Sequence, residues 1–245
     1  MTAASPLSQP SSLQPWGRFA TFALGLAALL AGQTFAIAAL VAYYGAGIAQ
    51  MPGLGGDGVA VTLIIAASTP VQVLLLFLFA WQRSASATDY LGLTAPTRNE
   101  LMFGVIAIIA LIAVGNLLSW LLGQDIVTPF QSSIYRTASA AGWLPLLWLA
   151  VVVGAPIGEE ILFRGFLFRG WLRSPRDAWP VIVIAALIWA LMHVQYDLYI
   201  VFWVFVSGVL LGWLRWATGS TLLTVLLHSL INFEAMLESL VSYHG

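Results

Sequence analysis

Apolar residues along this chain come in runs too long for a soluble core. They cover about Phe19–Ile48, Val59–Trp81, Leu101–Leu122, Trp143–Phe168, Trp179–His193, Leu198–Trp216 and Thr221–Val241. A helix needs roughly 20 apolar residues to cross a bilayer, so the pattern predicts an all-α, polytopic membrane protein with about seven transmembrane helices. The fifth run is the shortest. The first is too long for the apolar part of a signal peptide and reads as a retained span. Ahead of it, Ser, Pro and Gln dominate, which predicts a disordered cytoplasmic tail over 1–18. Spans over 19–142, a core over 143–241 and a short tail at 242–245 complete the expected division.

Composition supports the membrane reading. The chain of 245 residues is 60% hydrophobic and 8% charged, whereas soluble domains carry roughly 25% charged residues. A net charge of −1 gives no footing for nucleic acid. All nine basic residues are arginines. With the N-terminus in the cytoplasm, Arg18, Arg83, Arg98, Arg169, Arg173, Arg176 and Arg215 fall inside, only Arg136 outside, and Arg164 within the membrane. That bias follows the positive-inside rule and favours an odd number of spans, N-in and C-out. A short multi-span chain without lysine or cysteine is assigned to the inner (plasma) membrane of a bacterium. Trp16, Trp81, Trp143, Trp171, Trp179 and Trp216 sit near span ends, as an interfacial belt does. The glycine-rich stretch Gly53–Gly58 has no strand before it and reads as an external loop. Gly154/Gly158 and Gly208/Gly212 have the spacing of small-residue helix contacts. No internal repeat is evident, which weighs against an inverted-repeat transporter.

Against this apolar background, Gly158-Glu159-Glu160-Ile161-Leu162-Phe163-Arg164-Gly165 is conspicuous. Glu160 and Arg164 are four apart, share a helix face and predict an internal ion pair. Glu159 is turned by about 100° from Glu160 and is left over. A leftover carboxylate inside a membrane points to function. Pro156 removes a backbone hydrogen bond just upstream and predicts a kink. His193, His228 and Asn232 also interrupt apolar runs, the last two sharing a face. Counted from the arginine-rich side at 1.5 Å per residue, Glu159 and His193 lie roughly 20 Å deep, His228 about 12 Å and Asn232 about 18 Å. One site can contain them all.

Two chemistries suit these groups. Glu159 and a neutral imidazole can hold and deprotonate a water, with an imidazole and an amide donating to the oxyanion that forms. Alternatively, Glu159, His193 and His228 form a two-His, one-carboxylate set for a catalytic zinc. Both lead to hydrolysis of an acyl bond, most plausibly a peptide bond. The absence of cysteine excludes a thiol peptidase and disulfides. The zinc helix His-Glu-x-x-His and the Gly-x-Ser-x-Gly elbow are both missing.

The stretch Glu159-Glu160-Ile161-Leu162-Phe163-Arg164-Gly165 matches a Glu-Glu-x-x-x-Arg motif, and His228-Ser229-Leu230-Ile231-Asn232 matches His-x-x-x-Asn. In these features the chain resembles the CPBP intramembrane proteases (also called Abi), which include CAAX prenyl endopeptidases and bacteriocin-processing or immunity proteins. That family's Phe-x-x-x-His motif reads Trp189-x-x-x-His193 here, a departure at the aromatic. The segment Phe205–Gly212 resembles its glycine-bearing helix. The resemblance covers roughly residues 143 to 235. It implies water activation by Glu159 and His193, and oxyanion stabilisation by His228 and Asn232. The family is often labelled metallo-, and a metal-free glutamate mechanism is also proposed for it.

The leading expectation is an intramembrane endopeptidase acting on a membrane-bound or lipid-modified peptide or protein, metallo- or glutamate-type, with the bilayer as its other partner. A non-proteolytic membrane immunity or scaffold protein is the alternative, and an ion or proton carrier a third reading.

Overall fold

A computed structural model describes residues 14–244 apart from Pro52. The tail expected over 1–18 therefore falls mostly outside the described residues, as does Gly245. Among the described residues there are helices and turns and no strand. The long elements are α1 (Arg18–Tyr44) and α2 (Gly58–Trp81), then, after the short α3 (Ala87–Leu91), α4 (Arg98–Leu122). A further helix, α5 (Pro129–Ala140), precedes α6 (Leu144–Trp171), α7 (Ala178–Leu191), α8 (Leu198–Thr218) and α9 (Thr221–His244). Six of these (α1, α2, α4, α6, α8 and α9) are long and apolar enough to cross a bilayer.

The sequence dictates where these helices begin. Asp57 accepts from the backbone N–H groups of Val59 and Ala60 at 2.8 and 3.0 Å and starts α2. Thr97 with Glu100, and Thr128 with Gln131, form reciprocal capping boxes at the starts of α4 and α5. Asp197 caps α8 through the Ile200 N–H at 2.9 Å. Gly219, at φ +72°, makes the left-handed turn between α8 and α9 that a side chain would strain.

The fifth expected span departs from the prediction. Its helix, α7, has 14 residues, about 21 Å of rise against a hydrocarbon core of about 30 Å. His193, Gln195 and Asp197 follow it, and polar side chains there support a turn better than another helical turn in lipid. α7 and α8 run antiparallel: a Cβ on Gly208 would meet Trp189 and Ala186 at 2.9 and 3.0 Å, and one on Gly212 would meet Ile182 at 3.1 Å. Among the described residues, then, six helices are long and apolar enough to span, one fewer than the seven expected, and α7 with its turn is the short one.

α6 is the central element. In its most apolar window 44% of residues are buried, against 11–28% in the other five long helices. Phe163, Phe166 and Leu167 pack with Leu76, Tyr90, Leu91 and Trp189 in the principal core. By contrast α4 turns Phe103, Ile106, Ile109, Leu117 and Trp120 outward, an apolar surface suited to lipid. At one end of the bundle Arg18 pairs with Asp177 at 2.9 Å, Arg83 lies over the Trp16 ring at 3.8 Å and Arg173 donates to the Trp16 carbonyl. This is the arginine-rich end.

Candidate active site

The charged motif sits on a helix whose register is widened on both sides. Residues Ala150–Gly154 and Ile161–Leu167 adopt the π form, flanking an α segment at Ala155–Glu160 that contains Pro156. Proline cannot donate to the ladder, and π turns shift it by one residue, so carbonyls become available to other partners. Neighbouring side chains take them. The Asn232 amide donates to the Val151 carbonyl at 2.8 Å, Thr69 to Gly154 at 3.4 Å and Gln72 to Gly158 at 2.8 Å. Small residues permit the approach, since a Cβ on Gly158 would stand 3.2 Å from Thr69 and one on Gly154 would meet Ile65 at 2.9 Å.

The two adjacent glutamates have different environments. Glu160 is fully buried, with Arg164 Nη1 2.9 Å from its Oε1. His228 Nδ1 lies 3.0 Å from the same oxygen, which joins α9 to the pair. Arg164 also donates through Nη2 to the Gly208 carbonyl at 3.0 Å and lies 4.7 Å from the Trp189 ring centre. Its own carbonyl accepts from Arg215 Nε at 3.0 Å, and Arg215 donates equally to Thr221 at 2.8 Å. The inner ion pair is thus held by α7, α8 and α9 through Glu160 Oε1 and the Arg164 guanidinium, while Glu160 Oε2 is buried without a hydrogen-bond partner.

Glu159 is half-buried on the other side. Trp189 donates to its Oε2 through the indole N–H. His193, in the turn after α7, places Nδ1 2.8 Å from the Trp189 carbonyl. A carbonyl can only accept, so Nδ1 carries the proton and a neutral His193 has its lone pair on Nε2. The same logic applies to His228, whose Nδ1 faces a carboxylate. Trp189 stands edge-on to both imidazoles, with centroids at 5.1 and 5.2 Å, and Tyr196 stacks on His193 at 6.2 Å.

Glu159, Trp189, His193, His228 and Asn232 all line one cavity of about 320 Å³ between α2, α6, α7, α8 and α9. Glu160 and Arg164 lie behind its wall. Among the described residues no three of the His, Asp and Glu side chains are grouped to hold a metal ion. His228 faces Glu160, while Glu159 is engaged by Trp189, so the residues as placed do not form the three-ligand set that zinc requires.

Several neighbours were not singled out from sequence. Trp189 is in sequence only a departure from a motif, yet it touches Glu159, Arg164, His193 and His228. Gln72, Thr69 and Arg215 act on backbone carbonyls, which leaves no spacing signature. Asn116 donates to Glu234 and Glu238 at 3.4 and 2.7 Å. Those two carboxylates, four apart within the last apolar run, are visible in the sequence as charges inside a span.

Residues 141–233, from the start of α6 to the middle of α9, match the family model described as Type II CAAX prenyl endopeptidase Rce1-like. No curated protein and no solved structure matches the chain. The matched segment contains Glu159, Glu160, Arg164, Trp189, His193, Arg215, His228 and Asn232, whereas Thr69 and Gln72 come from α2. Over residues 141–233 the chain is therefore similar to the CAAX/CPBP family of membrane proteases, which supports placing it among them.

Proposed function

We propose that this protein is an intramembrane endopeptidase that hydrolyses a peptide bond in a membrane-bound or lipid-modified peptide or protein. The observation that carries the reading is the meeting of Glu159, His193, His228 and Asn232 on one cavity inside the bundle. The Glu159 carboxylate and the His193 Nε2 lone pair take a proton from water. The hydroxide adds to the scissile carbonyl carbon. The resulting oxyanion receives the free N–H of Asn232, whose other N–H is engaged by Val151. His228 donates to it as an imidazolium, because its Nδ1–H is committed to Glu160 and only a second proton provides Nε2–H. Collapse breaks the C–N bond, the proton taken from water passes to the leaving amine, and a carboxylate and an amine depart. The arginine-rich end lies in the cytoplasm under this proposal, with the protein in a bacterial inner membrane.

Cleavage of bilayer-tethered peptides by the purified protein tests the proposal. Glu159→Gln and His193→Ala are each expected to lower kcat by at least a hundredfold, the usual scale for a general acid–base group. Full activity in both variants would defeat the mechanism. Activity that survives metal removal by a chelator agrees with the glutamate–histidine route. Activity lost on chelation and restored by zinc would instead assign Glu159, His193 and His228 to a metal that draws them together.

A further inference from the structure

Hydrolysis consumes a water, and the cavity that receives the substrate is poorly suited to store it. That cavity is walled largely by Val61, Ile65, Phe130, Ile200, Trp203 and Ile231, and a bound peptide with an apolar group would fill it. A second cavity of about 200 Å³ adjoins the first at Glu159 and shares Ile65, Ala155, Glu159, Trp189, His193 and Gln195 with it. Beside Leu29, Ile64 and Met192, its remaining wall carries four polar side chains, the exposed Gln33 from α1 and Ser68, Thr69 and Gln72 from α2. At 1.5 Å per residue, Gln33 lies about 22 Å along α1 from Arg18, Ser68 about 20 Å from Trp81, and Glu159 about 18 Å from Trp171. The polar side chains form a band at one level.

We propose that this second cavity is a hydrated chamber that holds and delivers the water consumed at Glu159. Polar side chains in hydrocarbon are costly unless they find partners. Among the described residues, Gln33 and Ser68 make no side-chain hydrogen bond to the protein. Gln72 spends its amide N–H on the Gly158 carbonyl, which leaves its own oxygen free to accept. A buried water needs two to four polar partners, and at about 30 Å³ each the chamber has space for about six. Residues of α1 (Leu29 and Gln33) line this cavity and not the first, so water there reaches Glu159 from the α1 side without passing through the substrate cavity.

The chamber rests on the hydrolytic reading for its role but not for its hydration, and the two can be tested apart. The chain has no cysteine, so single cysteines report without background. In open membrane fragments, Ser68→Cys and Gln33→Cys are expected to react with a charged, membrane-impermeant methanethiosulfonate at least tenfold faster than Leu74→Cys. Leu74 is 60% exposed on the lipid-facing side of α2. Labelling at both positions no faster than at Leu74 overturns the chamber. If Ser68→Cys fails to fold, the outward-reaching Gln33→Cys carries the comparison. For delivery, Gln33→Leu is expected to lower kcat at least fivefold with KM within twofold. An unchanged kcat overturns the delivery role. Rapid labelling in a protein with no peptidase activity overturns the hydrolytic reading and leaves the hydrated chamber standing, whereas a dry chamber in an active protein overturns the chamber alone.

Discussion

Two neighbouring glutamates acquire different tasks because successive helix positions face different helices. Glu160 is turned toward Arg164 and His228, and Glu159 toward Trp189. Replacing Glu160 by Gln leaves Arg164 buried beside a neutral group, so a loss of about 3–5 kcal/mol in stability is expected. A chemical or thermal unfolding curve in detergent measures it. An unchanged midpoint would mean that Arg164 finds another acceptor. Trp189 offers a finer experiment. Trp189→Phe keeps the aromatic edge facing both histidines and removes only the indole N–H that holds Glu159. Hydrogen bonds to charged groups contribute about 1.5–3 kcal/mol, so kcat should fall on the order of tenfold while KM moves little. Equal activity in the two proteins would reduce Trp189 to packing.

At the scale of elements, the widened register of α6 and the shortness of α7 create the site. The π turns release carbonyls that Asn232, Thr69 and Gln72 then bind, tying α6 to α9 and α2. Ending α7 at Leu191 puts His193 in a turn at the depth of Glu159, where a continuous helix would have carried its ring bond elsewhere. The α7–α8 hairpin depends on Gly208, which has no room for a side chain between Trp189 and Ala186. Gly208→Leu should cost about 1–3 kcal/mol by overpacking and displace Trp189. Its signature is a joint loss of thermal stability and turnover, whereas an active, stable variant would show that the hairpin can open.

For the molecule as a whole, a pass by α7 and its turn, added to the six full-length helices, is expected to put the two ends on opposite faces. Reporter fusions at residue 16 and at the C-terminus are expected to give opposite compartments, with the N-terminal one cytoplasmic. Two reporters in the same compartment would mean that α7 and its turn re-enter without crossing, and the arginine asymmetry would then need another explanation.

Hydropathy by itself determined the all-helical membrane class, because the bilayer demands long apolar runs and internal backbone hydrogen bonding. The spacing of Glu160 and Arg164 was equally legible, since helical geometry brings i and i+4 together whatever surrounds them. Counting residues along the helices also put His193, His228 and Asn232 near the level of Glu159, and the four line one cavity. What only the tertiary structure decided concerns partners on other helices. That His228 faces Glu160, that Asn232 spends one N–H on Val151, and that Trp189 holds Glu159 depend on which faces of α6, α7 and α9 meet. Those choices depend on packing between segments distant in sequence, on the glycines that let helices approach, and on a proline-bearing helix whose register shifts twice. Sequence periodicity runs along one helix at a time and cannot report across the gaps between them.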